Sequence, residues 1–270
     1  MNTLNPFSAI NLHGDGVFRG VTLAAPIESV ESLLPSGLAL GDQTVTPKGT
    51  HPVIVSFNDL SRAVMSVPTL LPVLNYHEYT LGIPYSYVSR GGMNRNSPGP
   101  YYYMPRLYLN SVLAVLGGIG FWGFLKRLAS FKVDEEQFII STETDELLTS
   151  LTWKPAGEHR PVGEYAFFEP IRQMLDQPLI SQLPPLDGFP FVVSDFDKRW
   201  DVATVRPLET TVEIDAAFVP QFRSSVRAQL NGKTLRETAR GIDKSPLGSY
   251  ELVAPWRLGM PYVPLMRAWE

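Results

Sequence analysis

Cysteine is absent from the 270 residues, which excludes disulfides, thiolate metal sites and cysteine nucleophiles together. That absence is compatible with any compartment. Lysine and arginine number 23 against 27 acidic residues, giving a net charge of −4. The cations form no basic stripe, so no nucleic-acid partner is expected. Long apolar runs are missing too: residues 112–125 are uncharged but too short and too glycine-rich to span a bilayer comfortably, and no membrane partner is expected. The beginning, MNTLNPFSAINLHG, lacks the basic and apolar regions of a signal peptide, which predicts a cytoplasmic address. His13, His51, His77 and His159 are scattered without an HExxH spacing, so no metal is expected. No GxSxG elbow occurs, and no serine has an acid and a histidine in a readable order.

What is abundant is punctuation. Twenty-four prolines and 21 glycines fit many short strands joined by turns better than long helices. Residues 16–23 read as a first strand, 28–34 as a short helix stopped by Pro35-Ser36-Gly37, and 53–57 (VIVSF) as a strand. Residues 62–74 are apolar but broken by Pro68 and Pro72, which suggests a lining loop. Residues 138–141 and 147–153 form a hairpin pattern around 142–145, and 170–175 allow a short helix. Strand patterns at 189–193, 200–205, 210–214, 226–230 and 250–253 complete the second half. No repeat or linker is visible, so residues 1–270 are expected to form one domain.

Two stretches carry the chemistry. Residues 76–88 (YHEYTLGIPYSYV) alternate, with Tyr79, Leu81, Ile83, Tyr85 and Tyr87 on one face and Glu78, Thr80 and Gly82 on the other. Glu78 therefore leaves a strand interior. It is either solvated or, inside a cleft, forced into pairing or proton transfer. A polar connection at 89–100 leads to a returning strand at 101–109 that bears Tyr101, Tyr102, Tyr103 and Tyr108. Asn110 or Ser111 can then cap a helix whose Val112, Val115, Leu116 and Ile119 make one apolar face. Gly117, Gly118, Gly120 and Gly123 weaken that helix before Lys126 and Arg127 arrive together. A lysine amine desolvated beside a second cation is a candidate nucleophile for carbonyl carbon. A solvated helix end, its charges favoured by the helix dipole, is the other reading of the same pair. Gly118–Gly123 also matches GxGxxG literally, but the helix signal precedes the glycines and the flanks read as antiparallel strands, unlike a dinucleotide loop.

Tyr108-Leu109-Asn110 followed by Gly123-Phe124-Leu125-Lys126-Arg127-Leu128 resembles the acetoacetate decarboxylase family. So do Tyr76-His77-Glu78 with Ile83-Pro84, residues 21–38, and the proline-rich residues 246–264. The resemblance touches points from about residue 16 to 264. It implies an α+β fold, mostly antiparallel strands closed into a barrel or cone around a central pocket, with a few short peripheral helices. It also implies a homo-oligomer and a lyase that forms a Schiff base with a small-molecule keto acid or ketone, needing no cofactor beyond the imine. Lys126 aligns with the family's imine-forming lysine and Glu78 with its active-site glutamate. Arg127, Arg19, Tyr76, Tyr103 and Trp122 are the expected supporting or substrate-binding residues. Acetoacetate decarboxylase is itself the standard illustration of a lysine activated by a cationic neighbour, so Arg127 adds no independent support.

The departures are specific. The family's channel arginine falls near Ala24, with Arg19 on the same segment. Its second glutamate falls near Ser56, and its proline before the lysine is Leu125. The 89–100 connection, with Arg90 and Arg95, is longer than the family pattern. Three readings follow: a β-keto acid decarboxylase, another imine enzyme (an aldolase, dehydratase or cyclase of secondary metabolism), or a non-catalytic small-molecule-binding barrel.

Overall fold

The structure, a computed structural model, describes residues 10–67, 72–89, 99–215, 219, 234–242 and 245–263. In chain order the strands are β1 (Asn11–Pro26), β2 (Leu38–Leu40), β3 (Thr50–Met65), β4 (Leu74–Val88), β5 (Tyr101–Leu109), β6 (Lys126–Leu128), β7 (Ser130–Val133) and β8 (Gln137–Ser141). The second half supplies β9 (Leu147–Pro155), β10 (Arg160–Pro161), β11 (Leu179–Gln182), β12 (Phe191–Ser194), β13 (Phe196–Lys198), β14 (Thr204–Asp215), β15 (Thr234–Arg240) and β16 (Ser249–Gly259). Helices are few and short: α1 (Ile27–Glu31), α2 (Val112–Trp122) and α3 (Glu169–Leu175). Among the described residues no helix is long and apolar enough to cross a membrane.

The mostly antiparallel composition is as expected, but the closed barrel is not. The sheet follows one path, β12-β11-β5-β4-β3-β1-β16-β14-β9-β8-β7, and its two ends do not pair among the described residues. The reason is that the β14-β9-β8-β7 end folds over the outside of the central strands. There Phe138 packs against Phe57 at 5.9 Å, and the Arg19 guanidinium lies 4.4 Å from the Trp153 ring. The turn comes within β14: Thr204–Pro207 pair with β16, and Leu208–Ile214 then pair with β9. Pro207, lacking a ladder donor, sits at that change of partner. The patterns at 200–205 and 210–214 are therefore one strand beginning at Thr204.

The central strands are buried on both faces, so strand parity sorts their side chains. One core cluster holds Val55, Phe57, Tyr79, Leu81 and Ile83 with Phe138 and Trp153. The other holds Leu60, Tyr76, Leu107, Leu109, Trp122, Tyr250, Leu252 and Trp256. The alternation expected along 76–88 holds through Ile83 and then breaks. At Tyr85, where φ is 54°, the ladder shifts and the ring turns to the second cluster. Residues 68–71, the 90–98 part of the long connection with Arg90 and Arg95, and the strand expected at 226–230 lie outside the described residues.

On the first face a charge network is folded under β8 and β9. Arg19 reaches Asp59 at 2.7 Å and Glu251 at 2.8 Å, His77 Nδ1 lies 2.6 Å from Asp59, and His159 and Arg206 meet Glu251. Burial alone would raise the Asp59 carboxyl, but the hydrogen bonds from His77 and Arg19 outweigh it and hold it below its ordinary value. A carboxyl so shifted adds stability that is fully present above the ordinary value and is lost as pH falls through the lowered one. Asp59→Asn should therefore cost about 2 kcal/mol in urea unfolding at pH 7. The gap from the parent should close as pH falls below the ordinary carboxylate range and through the lowered ionisation of Asp59.

Candidate active site

The second face of the sheet, closed by α2, α3 and β13, encloses a cavity of about 100 Å³. Strand parity decides what it shows. From β3 come Ser56, Asn58 and Leu60; from β4, Tyr76, Glu78 and Thr80; from β16, Tyr250, Leu252, Trp256 and Leu258. Most of the wall is apolar, and the polar groups concentrate in two places.

The first is the pair Lys126 and Glu78. Ser111 opens α2, its hydroxyl accepting from the Ala114 N–H at 3.3 Å. The helix ends at Gly123 in the left-handed region, φ 67°, which glycine adopts without strain. There a Cβ would lie 2.2 Å from the Gln182 carbonyl oxygen. Three residues later the chain is extended, and Lys126 pairs in parallel with Leu107 of β5. Lys126 thus leaves a strand beside a tight turn and not a solvated helix end. Its Nζ lies 3.2 Å from Glu78 Oε2, and the two side chains are 8% and 13% exposed. The Tyr76 and Phe124 rings each stand 5.9 Å from Nζ. Asn58, directly across from Glu78 in the ladder, accepts from the Ser56 hydroxyl at 2.5 Å.

Gly118 makes the room. A Cβ on it would stand 2.3 Å from Lys126 Cδ and 2.4 Å from Cε, so the helix passes against the lysine stem only because this position has no side chain. The literal GxGxxG is therefore a helix end shaped around an amine. The α2 face differs from the expected one: Ala114, Val115, Gly118 and Trp122 are buried, whereas Val112 and Leu116 are exposed, because the helix turns its small residues to the lysine. Trp122 lines the cavity and anchors the helix, its Nε1 donating to the Gly259 carbonyl at 2.8 Å while its own carbonyl accepts from Ser181 at 2.6 Å.

Of the other expected supporting residues, Tyr76 is in the cavity wall, and three are elsewhere. Arg127 follows Lys126 on β6, points to the opposite side and is exposed. Arg19 lies one residue past Phe18, which lines the cavity, and so joins the charge network on the other face. Tyr103 is buried in the first core cluster, while its neighbours Tyr102 and Met104 line the cavity.

The second polar place was not foreseen. Lys198, the inward residue at the end of β13, also lines the cavity, its Nζ donating to the Leu175 carbonyl at 2.9 Å and lying 4.3 Å from the Phe196 ring. Burial pushes this ammonium down to about 8, against weaker opposing pulls from Asp176 and Asp197. The sequence did contain a signal, since Lys198-Arg199 between Phe196 and Trp200 repeats the Lys-Arg pair at 126–127 beside aromatics. Among the described residues no cluster of acids and histidines could hold a metal ion.

The matching family model is that of acetoacetate decarboxylase, over residues 14–159, more than half of the chain. The chain belongs to the acetoacetate decarboxylase family. No curated protein matches its sequence. Among solved structures, an acetoacetate decarboxylase is similar over 100% of this chain and 96% of its own, with 13% identity and a TM-score of 0.59. The acetoacetate decarboxylase from Legionella pneumophila covers 94% of this chain and 86% of its own at 13% identity and TM-score 0.57. The enduracididine biosynthesis enzyme MppR, complexed with the condensation product of pyruvate and imidazole 4-carboxaldehyde, covers 92% and 87% at 11% identity and TM-score 0.58. At these identities the likeness establishes the fold of the family member.

Two outcomes follow from this geometry. Gly118→Ala should leave the fold intact, since alanine is favoured over glycine in a helix by about 1 kcal/mol. It should nevertheless displace Lys126 from its buried place beside Glu78, measured as faster amine labelling at that residue by mass spectrometry with an unchanged or raised Tm. Because Lys198 ionises less readily when folded than at its ordinary value of 10.5, its charge costs stability at neutral pH, on the order of 3 kcal/mol, and the cost fades as pH rises from about 8. The stability of Lys198→Met relative to the parent should therefore be greatest near pH 7 and decline towards pH 10.5, read by thermal unfolding of both proteins across that range.

Proposed function

We propose that the cavity is the active site of a Schiff-base enzyme acting on a small keto acid or ketone, with Lys126 as nucleophile and Glu78 as its proton partner. The observation that carries this reading is the 3.2 Å contact between Lys126 Nζ and Glu78 Oε2, set in an otherwise largely apolar wall. Transfer of one proton along that contact leaves a free amine, which adds to the substrate carbonyl carbon. Glu78, now protonated, delivers the proton that lets water leave, and a protonated imine remains. Asn58 and Thr80 are neutral polar groups of the same wall and can hydrogen-bond the carbinolamine oxygen.

In a β-keto acid the bond between the α-carbon and the carboxylate then breaks. Carbon dioxide departs and the bonding pair collapses through the imine into an enamine, which Glu78, having regained a proton from solvent, protonates at carbon. Hydrolysis frees the ketone and the amine. The cavity volume corresponds to about seven water molecules, which suits a substrate of roughly that many non-hydrogen atoms.

A second outcome of the same imine, condensation with an aldehyde or a dehydration, is favoured by the placement of Arg19. With that arginine on the far face, no guanidinium lines the cavity among the described residues to guide a carboxylate beside Lys126. The relative MppR, bound to a condensation product of pyruvate and an aldehyde, supports the same alternative.

Borohydride reduction with a panel of keto acids tests the proposal. A stable mass increase on the peptide bearing Lys126 is expected. It should disappear in Lys126→Ala, and its rate of formation should fall by about two orders of magnitude in Glu78→Gln. Carbon dioxide release separates decarboxylation from the other imine outcomes. Full turnover by Lys126→Ala would exclude both imine readings, and absence of any trapped adduct and of turnover in the parent would leave only a binding protein.

A further inference from the structure

The second amine of the cavity has unspent hydrogen-bonding capacity. Lys198 Nζ carries three donors and makes one hydrogen bond among the described residues, to the Leu175 carbonyl. The two acids whose charge it feels are committed elsewhere. Asp176 receives Trp200 Nε1 at 2.5 Å and Arg172 at 3.0 Å, and Asp197 is paired with Arg257 at 2.6 Å. The ammonium is thus buried against Phe196 and Trp200 without a carboxylate in contact.

Beside it stands a second orphan. Trp256 faces Lys198 directly across the antiparallel pairing of β13 and β16, which puts both side chains on the same side of the sheet. Both line the cavity. The Trp256 ring is 3% exposed, and its buried Nε1 has no hydrogen-bond partner among the described residues. An indole N–H can only donate, so this atom and Nζ require the same thing, an acceptor arriving from the cavity. Phe18, Leu252 and Leu258 line the same cavity and offer no such acceptor.

We propose that Lys198 and Trp256 form an anion-receiving subsite that holds the carboxylate of the substrate, separate from the Lys126–Glu78 pair that acts on its carbonyl. This rests on the cavity being the substrate site, as proposed above. Along the sheet, Glu78 and Lys198 lie on strands with β3, β1 and β16 between them, an arc of about 19 Å that the curl of the sheet folds around one chamber. The substrate class that spans such a chamber is a ketone bearing a remote carboxylate, separated from the carbonyl by an apolar segment and distinct from the carboxylate that a β-keto acid loses as carbon dioxide. At neutral pH a side chain whose ionisation lies near 8 is mostly cationic, as the subsite requires.

The probe is hexanoate, which has no ketone and forms no imine, with hexan-1-ol as its uncharged counterpart, both titrated calorimetrically at pH 7. Wild type should bind hexanoate more tightly than hexanol. Lys198→Met should weaken hexanoate about tenfold or more and leave hexanol within a few-fold, since the apolar wall is kept. Trp256→Phe should weaken hexanoate several-fold while hexanol binding reports an intact cavity. This second variant keeps the test open should Lys198→Met fail to fold. Unchanged hexanoate affinity in either folded variant would overturn the proposal. So would loss of hexanoate binding in Lys126→Met alongside its retention in Lys198→Met, or preference of the wild type for hexanol. Because the probe bypasses the imine, failed borohydride trapping at Lys126 would remove the catalytic reading and leave this result standing. A failed hexanoate test with successful trapping would do the reverse.

Discussion

The central strands have no solvent side. A strand buried on both faces must send alternate residues into two different interiors, and a shift of one position would exchange them all. Here one interior is an aromatic and charged layer under β8 and β9, and the other is the cavity. On β3 that rule separates Asn58 from Asp59, and on β4 it separates Glu78 from His77. Asp59 and His77 satisfy each other and Arg19 on one side, which leaves Glu78 to Lys126 on the other. The ladder that places Asn58 opposite Glu78 and Asp59 opposite His77 fixes both arrangements at once.

Much of this was legible in the sequence. The alternation along 76–88 placed Glu78 on the face away from Tyr79, and the glycines after Val115 foretold a helix that ends before Lys126. What could not be read was the destination of neighbours in space. Arg127 is adjacent to Lys126 in sequence, yet an extended backbone sends it to the other side. Arg19 suffers the same fate through the parity of β1, and Tyr103 through that of β5. Closure of the sheet is not encoded locally, since local patterns specify strands and not whether the last one returns to the first. The place of Lys198 in the cavity wall depends on β13 pairing with β16, a contact made across some sixty residues of chain that no local pattern signals.

A lysine can be presented to a cavity by removing what would compete for its space, and α2 does so. The helix gives up packing at Gly118 and exposes Val112 and Leu116, and in exchange its axis comes close enough to line the lysine stem. Two hydrogen bonds at Trp122 hold the far end of the helix, to Gly259 and from Ser181, so the approach is set from outside the family-matched segment.

That boundary has a further consequence. Ser56, Asn58, Glu78, Thr80 and Lys126 all precede residue 159, where the family match stops, whereas Leu175, Lys198, Tyr250 and Trp256 come after it. The Lys126–Glu78 pair thus comes from the earlier part of the chain, with most of the apolar wall, and the Lys198 and Trp256 side of the cavity comes from the later part. Substitutions at Lys198 or Trp256 therefore fall outside the family-matched segment and reshape one flank of the chamber while leaving untouched the strands that carry Glu78 and Lys126.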